Sequence, residues 1–307
     1  MTYSSDTGDV ATTRRPIMPD DASRAVPRDR AGRIALGVLI FGLLAWLFIG
    51  AATNPRFEWD VVARYFTAQA VLNGLMTTLY LTLVIFIFSL VLGTLLALAR
   101  ESSFRPFNIL AWIYSWIFRS IPALVQLIFW FNLAYLLPSI SLGLPFGPTF
   151  FEARTNDLIS PFLAAVLGLG LGEAAYKSEI IRAGLMSVDK GQREAARAIG
   201  LTNTQSFFRI VIPQSMRFIV PPLGNQTILN LKGTSLVSVI ALSDLLHSVQ
   251  SMYNRTLEVV PLLMVATLWY LIIVSIMSVI QIGIERHFGR GHGASRNVKP
   301  IEERVEA

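Results

Sequence analysis

Residues 191–213 read GQREAARAIGLTNTQSFFRIVIP. The stretch is polar and studded with alanine, in a chain where 53% of residues are hydrophobic and only 15% are charged. Its punctuation predicts two short helices. Asp189 stands as the N-cap of the first, with Gln192 three residues on in a capping-box arrangement. Lys190–Ile199 is helical in composition, and Gly200 supplies a left-handed stop. Thr202 then caps a second helix, with Gln205 three residues on, and Pro213 closes it. Ala195 and Ala196 leave one side of the first helix with almost no side-chain bulk, and Glu194 lies one turn from Lys190 and Arg197. Phe207, Phe208, Ile210, Val211 and Ile212 make the second helix apolar enough to pack on its neighbours. A rigid knob of this kind suits docking into a partner. A plain solvated loop is the alternative, but loops without a function are usually short.

The surrounding chain has 307 residues and a mean hydropathy of +0.54. A soluble domain carries about a quarter charged residues, so this composition is that of an integral membrane protein. With no cysteine, disulfides and thiolate metal sites are excluded. His247, His287 and His292 stand in no metal-ligand spacing, so no metal site is expected.

A helix needs about 20 mostly apolar residues to cross a bilayer. Ile34–Ala52, Val71–Ala99 and Val259–Ile284 are charge-free. Leu158–Ser178 is apolar except for Glu173 and Lys177, and Phe218–Ser243 except for Lys232. Ser120–Phe151 has no charge, but Pro138, Pro145 and Pro148 end any helix near Leu137. Six spans are expected, at about 34–52, 71–98, 121–138, 159–180, 217–243 and 260–284. A third span beginning at Phe107 would hold Arg119 in hydrocarbon at a cost of about 2.5–3.5 kcal/mol. Ser120 as N-cap and Pro122 in the first turn offer a start at about Ile121. Residues 106–118, rich in Trp and Tyr, then lie along the membrane surface.

Charge sets the direction. Six arginines precede Ile34, Arg100 and Arg105 follow the second span, and seven Lys or Arg lie in 177–217. Arg286, Arg290, Arg296, Lys299 and Arg304 lie in the tail. The opposite loops hold Arg56, Arg64, Arg154 and Arg255. The positive-inside rule places both termini and the alanine-studded stretch in the cytoplasm. The net charge of +6 is thus topological, and no nucleic-acid partner is implied. The apolar run 34–52 exceeds the 7–15-residue core of a signal peptide and is expected to stay as a helix. The leader 1–33 and tail 288–307 are expected to be disordered and cytoplasmic.

The stretch resembles the EAA motif of ABC-importer permeases: Glu-Ala-Ala, three residues, Gly, nine residues, Ile, one residue, Leu-Pro. Here it reads Glu194-Ala195-Ala196, Gly200, Ile210 and Ile212-Pro213, with isoleucine for leucine. An earlier Glu-Ala-Ala at Glu173–Ala175 lacks the glycine. GLMTTLYLTL (74–83), LGTLLALAR (92–100), FRSIPALVQL (118–127), AYKSEIIRAGL (175–185) and PPLGNQTILNLKGTSLVSVI (221–240) are similar to segments of the permeases for polar amino acids. Two departures stand: Ser120-Ile121 for Gly-Thr, and Gly233 where an acid is common.

The resemblance implies an all-α integral membrane fold: an added N-terminal helix, 34–52, before a five-helix type-I permease core over 70–287. Residues 187–213 would be its cytoplasmic coupling loop. Two permease subunits, identical or related, would form the pore in a bacterial cytoplasmic membrane. A cytoplasmic ATPase dimer using ATP and Mg would drive it, and an extracytoplasmic amino-acid-binding protein would deliver substrate. Glu194, Ala195, Ala196, Gly200, Ile210 and Pro213 would carry the coupling.

This chain has no phosphate-binding Gly-x4-Gly-Lys-Ser/Thr loop, and its outer loops (53–70, 139–157, 246–259) are too short for a binding domain. No cofactor and no enzymatic activity are expected of it. An ion-coupled secondary transporter is the rival class, but it leaves the alanine-studded loop unexplained.

Polar residues inside the spans mark a substrate pathway. Lys232 either attracts a substrate carboxylate or holds a gating bend, or else it pairs with Glu173 or with carbonyls freed near Gly233. Glu173 would suit a cationic amino acid, or lie near the inner surface. Gln126 is a further candidate. Asn225 and Asn230 lie on different helix faces, and at least one is expected to make an interhelical hydrogen bond.

Overall fold

A computed structural model describes residues 30–144 and 149–289. Most of the expected leader, most of the tail, and Pro145 and Pro148 lie outside the described residues; Arg30–Arg33 of the leader are helical. The chain divides into two compact units after Pro55. Of the first, α1 (Arg30–Thr53) is one helix, apolar around its circumference.

The second unit opens with α2 (Trp59–Phe66) and the 32-residue α3 (Gln69–Arg100). At 1.5 Å per residue α3 is about 48 Å long, enough to cross a bilayer and project beyond it. Next come α4 (Arg105–Ser120), α5 (Ala123–Phe131) and the single turn α6 (Leu133–Leu136). The strands β1 (Ser139–Gly143) and β2 (Thr149–Arg154) and the turn α7 (Thr155–Leu158) follow. The 26-residue α8 (Pro161–Met186) leads into α9 (Lys190–Ala198) and α10 (Asn203–Ser206). A wide turn at Phe207–Val211 runs into α11 (Ile212–Gly233), which tightens over Thr234–Ile240. Last are α12 (Leu245–Thr256) and α13 (Val259–Gly289).

Three stretches are long and apolar enough to cross a membrane: Gly32–Gly50, Gln69–Arg100 and Val259–Phe288. Two broken pairs qualify jointly: α4 with α5, bent by 99°, and Asn203–Ile240 with α12, bent by 44°. The expected span 159–180 corresponds to α8, which is long enough to cross. It is less apolar because it carries Glu173, Lys177, Glu179 and Arg182. The expected span 121–138 is not one helix. Asn132 interrupts it, its amide donating back to the Ile128 carbonyl at 2.8 Å.

The break before α5 has a clear cause. Proline disfavours helical geometry in the residue before it, and Ile121, preceding Pro122, is extended (φ −90°, ψ 127°). Ser120 is not the N-cap of the next helix as expected. It ends α4, its hydroxyl donating to the Trp116 carbonyl at 2.6 Å, while Pro122 takes the N-cap position of α5.

The all-α expectation is corrected by β1 and β2, an antiparallel pair running from Ser139↔Arg154 to Gly143↔Thr149. Alternating residues suited to strands in SISLG and TFFEAR form it, and the Thr155 amide donating to the Pro138 carbonyl closes its base. The stretches 53–70 and 246–259, expected as loops, contain α2 and most of α12.

Helix α8 is the hub, packed against α3, α4, α5 and α11. Glycine permits these approaches: a Cβ on Gly93 would lie 2.9 Å from the Ala174 carbonyl oxygen, and one on Gly168 would lie 2.6 Å from the Leu127 Cα. Small residues at such contacts let backbones meet where apolar burial alone provides no drive. Leu81, Ile85, Leu127, Ala165, Leu169 and Val237 fill the central core.

Candidate functional site

Helix α9 is fixed at both ends. The Asp189 carboxylate accepts from the Gly191 amide at 2.7 Å, as expected of an N-cap. Gln192 does not complete a capping box. It accepts instead from the Gln214 amide at 3.2 Å, which ties α9 to the start of α11. At the other end Gly200 has φ 83°, its amide donates to the Arg197 carbonyl, and the Leu201 amide donates to that of Ala196. This is a Schellman stop, whose left-handed residue glycine adopts without steric cost. The box at Thr202 and Gln205 is reciprocal, at 2.9 and 3.2 Å.

The second helix, α10, is a single turn that does not end at Pro213. The Ile212 amide donates to the Phe207 carbonyl, a five-residue step that widens the turn and runs directly into α11. Pro213, expected to close a helix, sits instead in the first turn of α11, where a missing amide hydrogen costs least. Phe207 and Val211 pack with Ile181, Leu185, Val188 and Ile219, so the loop is seated on α8 and α11. Arg193 adds a hydrogen bond to the Leu185 carbonyl at 3.1 Å.

The two alanines of the motif do not share a bare side. Ala196 is buried, whereas Glu194 and Ala195 are exposed. The smooth outer strip consists of Gly191, Ala195 and Ile199, four residues apart, with Ala198 beside them. Ile199 is 76% exposed. An isoleucine one residue before a helix-stopping glycine was the signal that reading from the alanines missed.

The intramembrane candidates separate into two groups. Gln126 and Glu173 line one cavity of about 330 Å³ with Arg119, Tyr176, Asn230 and Gly233. One oxygen of Glu173 accepts from Gln226 at 3.0 Å, and the other has no hydrogen-bond partner among the described residues. The Gln126 amide nitrogen donates to the Phe118 and Ile121 carbonyls, both at 2.9 Å, satisfying groups freed by the break before α5. Lys232 and Asn225 lie outside this cavity and are exposed. Among the described residues no carboxylate lies within 4.0 Å of the Lys232 ammonium, so of the alternatives raised for it the pairing with Glu173 is not made. Asn230 supplies the interhelical bond, donating to the Thr82 carbonyl at 3.4 Å.

The surroundings of two charged groups escaped sequence reasoning. Lys177, noted above as a charge within the fourth expected span and counted with the inner-side charges, is fully buried. Its ammonium donates to the Ser89 hydroxyl at 2.5 Å and lies 4.6 Å from the centre of the Phe86 ring. Two residues on, Glu179 meets three guanidinium groups: Arg182 at 3.0 Å, Arg100 at 3.2 Å and Arg119 at 3.7 Å. A single carboxylate therefore joins α3, α4 and α8.

Residues 89–290 match the family described as "Binding-protein-dependent transport system inner membrane component". The chain is 41% identical over 275 residues to the arginine transport system permease protein ArgU of Corynebacterium glutamicum, covering 87% of this chain and 83% of that one. It is 36% identical to the L-cystine transport system permease protein TcyB of Bacillus subtilis, over 77% of this chain and 94% of its relative. A solved structure titled as an amino acid ABC transporter with histidines superimposes with a TM-score of 0.61 at 30% identity, over 71% of this chain and 94% of that chain. A family match to about two thirds of the length, on a bundle with a capped helix–glycine loop, identifies a membrane subunit that leaves ATP hydrolysis to another polypeptide. The chain belongs to the binding-protein-dependent transport system inner membrane components, the permease subunits of ABC importers.

Proposed function

We propose that this chain forms half of the translocation pathway of an importer for a polar amino acid, and that α9 is the element through which a separate ATPase drives it. The capped α9, with its Gly191–Ala195–Ile199 strip outward and its Ala196 side seated, supports this reading most directly. Glu194, Ala195, Ala196, Gly200, Ile210 and Pro213 divide the work. Ala195 and Glu194 meet the ATPase, Ala196 and Ile210 hold the loop on the bundle, and Gly200 and Pro213 shape its two turns. In this reading 187–213 is the cytoplasmic coupling loop of a permease domain over 70–287, α1 is an additional span, and α8 completes six. Both termini are cytoplasmic, α4 lies along the inner membrane surface, and a second permease subunit closes the pore. ATP and Mg act in the ATPase, and an external binding protein supplies substrate.

Within the pathway, Glu173 and Gln126 belong to the substrate route. A carboxylate oxygen without a protein partner, in a cavity with a free amide oxygen, suits the cationic end of an amino acid. The likeness to an arginine permease favours the same substrate class. Lys232 and Asn225, exposed on one chain, face the pore and the second subunit. An ion-coupled exchanger would leave the seated, capped loop without a use.

The test is reconstitution with the ATPase and binding protein in proteoliposomes. ATP-dependent arginine accumulation is expected, falling at least about ten-fold in Glu173→Gln as one charge-assisted contact is lost. Accumulation in vesicles holding this chain without any ATPase would overturn the coupling reading.

A further inference from the structure

We propose that the recess between α4 and α8 around Glu179 binds the phosphate of an anionic phospholipid headgroup. The recess has a volume of about 330 Å³, and its walls include Arg100, Arg119, Trp112, Ser115, Trp116 and Glu179. Three guanidinium groups share the one carboxylate, and no other ion pair involves these arginines among the described residues. The cluster thus keeps two positive charges in excess. A carboxylate offers about four lone-pair sites, whereas three arginines bring fifteen N–H donors. Donors are left over, and a tetrahedral oxyanion can take them.

Arg119 is the freest of the three. It is the most distant from Glu179, its side chain is 45% exposed, and its guanidinium lies 5.5 Å from the centre of the Tyr176 ring. Arg100 and Arg182, at 15% and 29%, are held more deeply.

Two further observations select a lipid over a soluble anion. Trp112 and Trp116 are stacked 6.3 Å apart at 7° beside the recess, and both are more than half exposed. Ile109, Leu110, Ile113 and Ile117 of the same helix are exposed as well. Indole rings prefer the boundary between headgroups and chains, and basic pockets on the cytoplasmic side of a bundle take anionic headgroups. A bound phosphate would then fasten α4 to the inner leaflet while Glu179 holds it to α3 and α8. This rests on the proposal that α4 lies along the inner surface.

The experiment uses the complex of this chain with its ATPase, offered equal amounts of phosphatidylglycerol and phosphatidylcholine in detergent. Retained lipid is counted by native mass spectrometry. Phosphatidylglycerol is expected in excess by about five-fold per free arginine engaged. Arg119→Gln should abolish that preference, and Trp116→Ala, at an exposed position, should lower it in a folded complex. Arg255→Gln, at a remote exposed position, should leave it unchanged.

Equal retention of the two lipids, or an unchanged preference in both Arg119→Gln and Trp116→Ala, would overturn the site. Displacement by millimolar soluble glycerol phosphate would show a free-anion site and overturn the lipid assignment. The orientation is read separately. The chain has no cysteine, so Glu101→Cys carries a unique label. Labelling only from the outer side sinks the placement of α4, whereas labelling from inside with no lipid preference sinks only the headgroup site.

Discussion

The loop 187–213 and the charged layer inside the bundle are both polar, yet they are built in different ways. In the loop, the contacts that cap and turn the chain join near neighbours: Asp189 with Gly191, Thr202 with Gln205, Leu201 with Ala196. In the bundle, Arg100 meets Glu179 across 79 residues, Lys177 meets Ser89 across 88, and Gln226 meets Glu173 across 53. The turns of the loop are therefore set locally, as suits the docking part proposed above. The charged layer exists only once α3, α8 and α11 are assembled. Under the proposed function, one region would transmit motion and the other would keep the moving helices together.

The largest effect that separates these roles is expected at Gly200. Any other residue there must adopt φ 83°, at about 1–2 kcal/mol, and Asp adds charge beside the strip proposed to meet the ATPase. Gly200→Asp and Glu194→Lys should each abolish uptake and weaken co-purification with the ATPase, while the permease remains folded in the membrane. Uptake at the full rate in both variants would leave the loop without its assigned role.

Glu179→Gln probes the other region. It leaves three guanidinium groups together without a counter-charge. Losing one partner of a shielded ion pair costs a few kcal/mol, reduced here because the carboxylate is 27% exposed. The melting temperature of the purified complex should fall by on the order of 5 °C. Binding to the ATPase by the surviving folded fraction should not change. A wild-type melting curve would show that the network is decorative.

The same contrast decides what the sequence made legible. Asp189, Gly200 and the Thr202–Gln205 box could be read because each acts within one turn of itself. The break at Ile121 was legible for the same reason, since proline restrains its own predecessor. Lys177 could be placed near the end of its span from sequence, but its surroundings could not. Its shelter, Ser89 and Phe86, comes from another helix. Ala196 was placed outward because composition shows that a residue is small without showing which way it faces. The hairpin in 139–154 was missed because its strands are short and their pairing is not encoded in either strand alone. Gln126 and Glu173 were named from their type. That they share one cavity is a property of α5 packed on α8.

A smaller change is expected at Lys232. It is exposed and pairs with no carboxylate among the described residues, so Lys232→Ala should alter the rate of transport without loss of folded protein or of ATPase binding. Loss of folded protein instead would mean that the ammonium has a structural partner in the assembled pore, which would move it from the pathway to the scaffold.

The smallest effect sharpens the comparison furthest, because it reads the loop's independence directly. Thr202→Ala removes one half of the reciprocal cap, an interaction worth about 1 kcal/mol. If the loop is shaped by its own neighbours, the loss stays local. Amide exchange should rise about five-fold at Gln205, whose amide loses its acceptor, while the amides of α8 stay unchanged. Faster exchange spreading into α8 would mean that loop and bundle open as one unit. The division between a self-shaped coupling element and an assembly-dependent charged layer would then not hold.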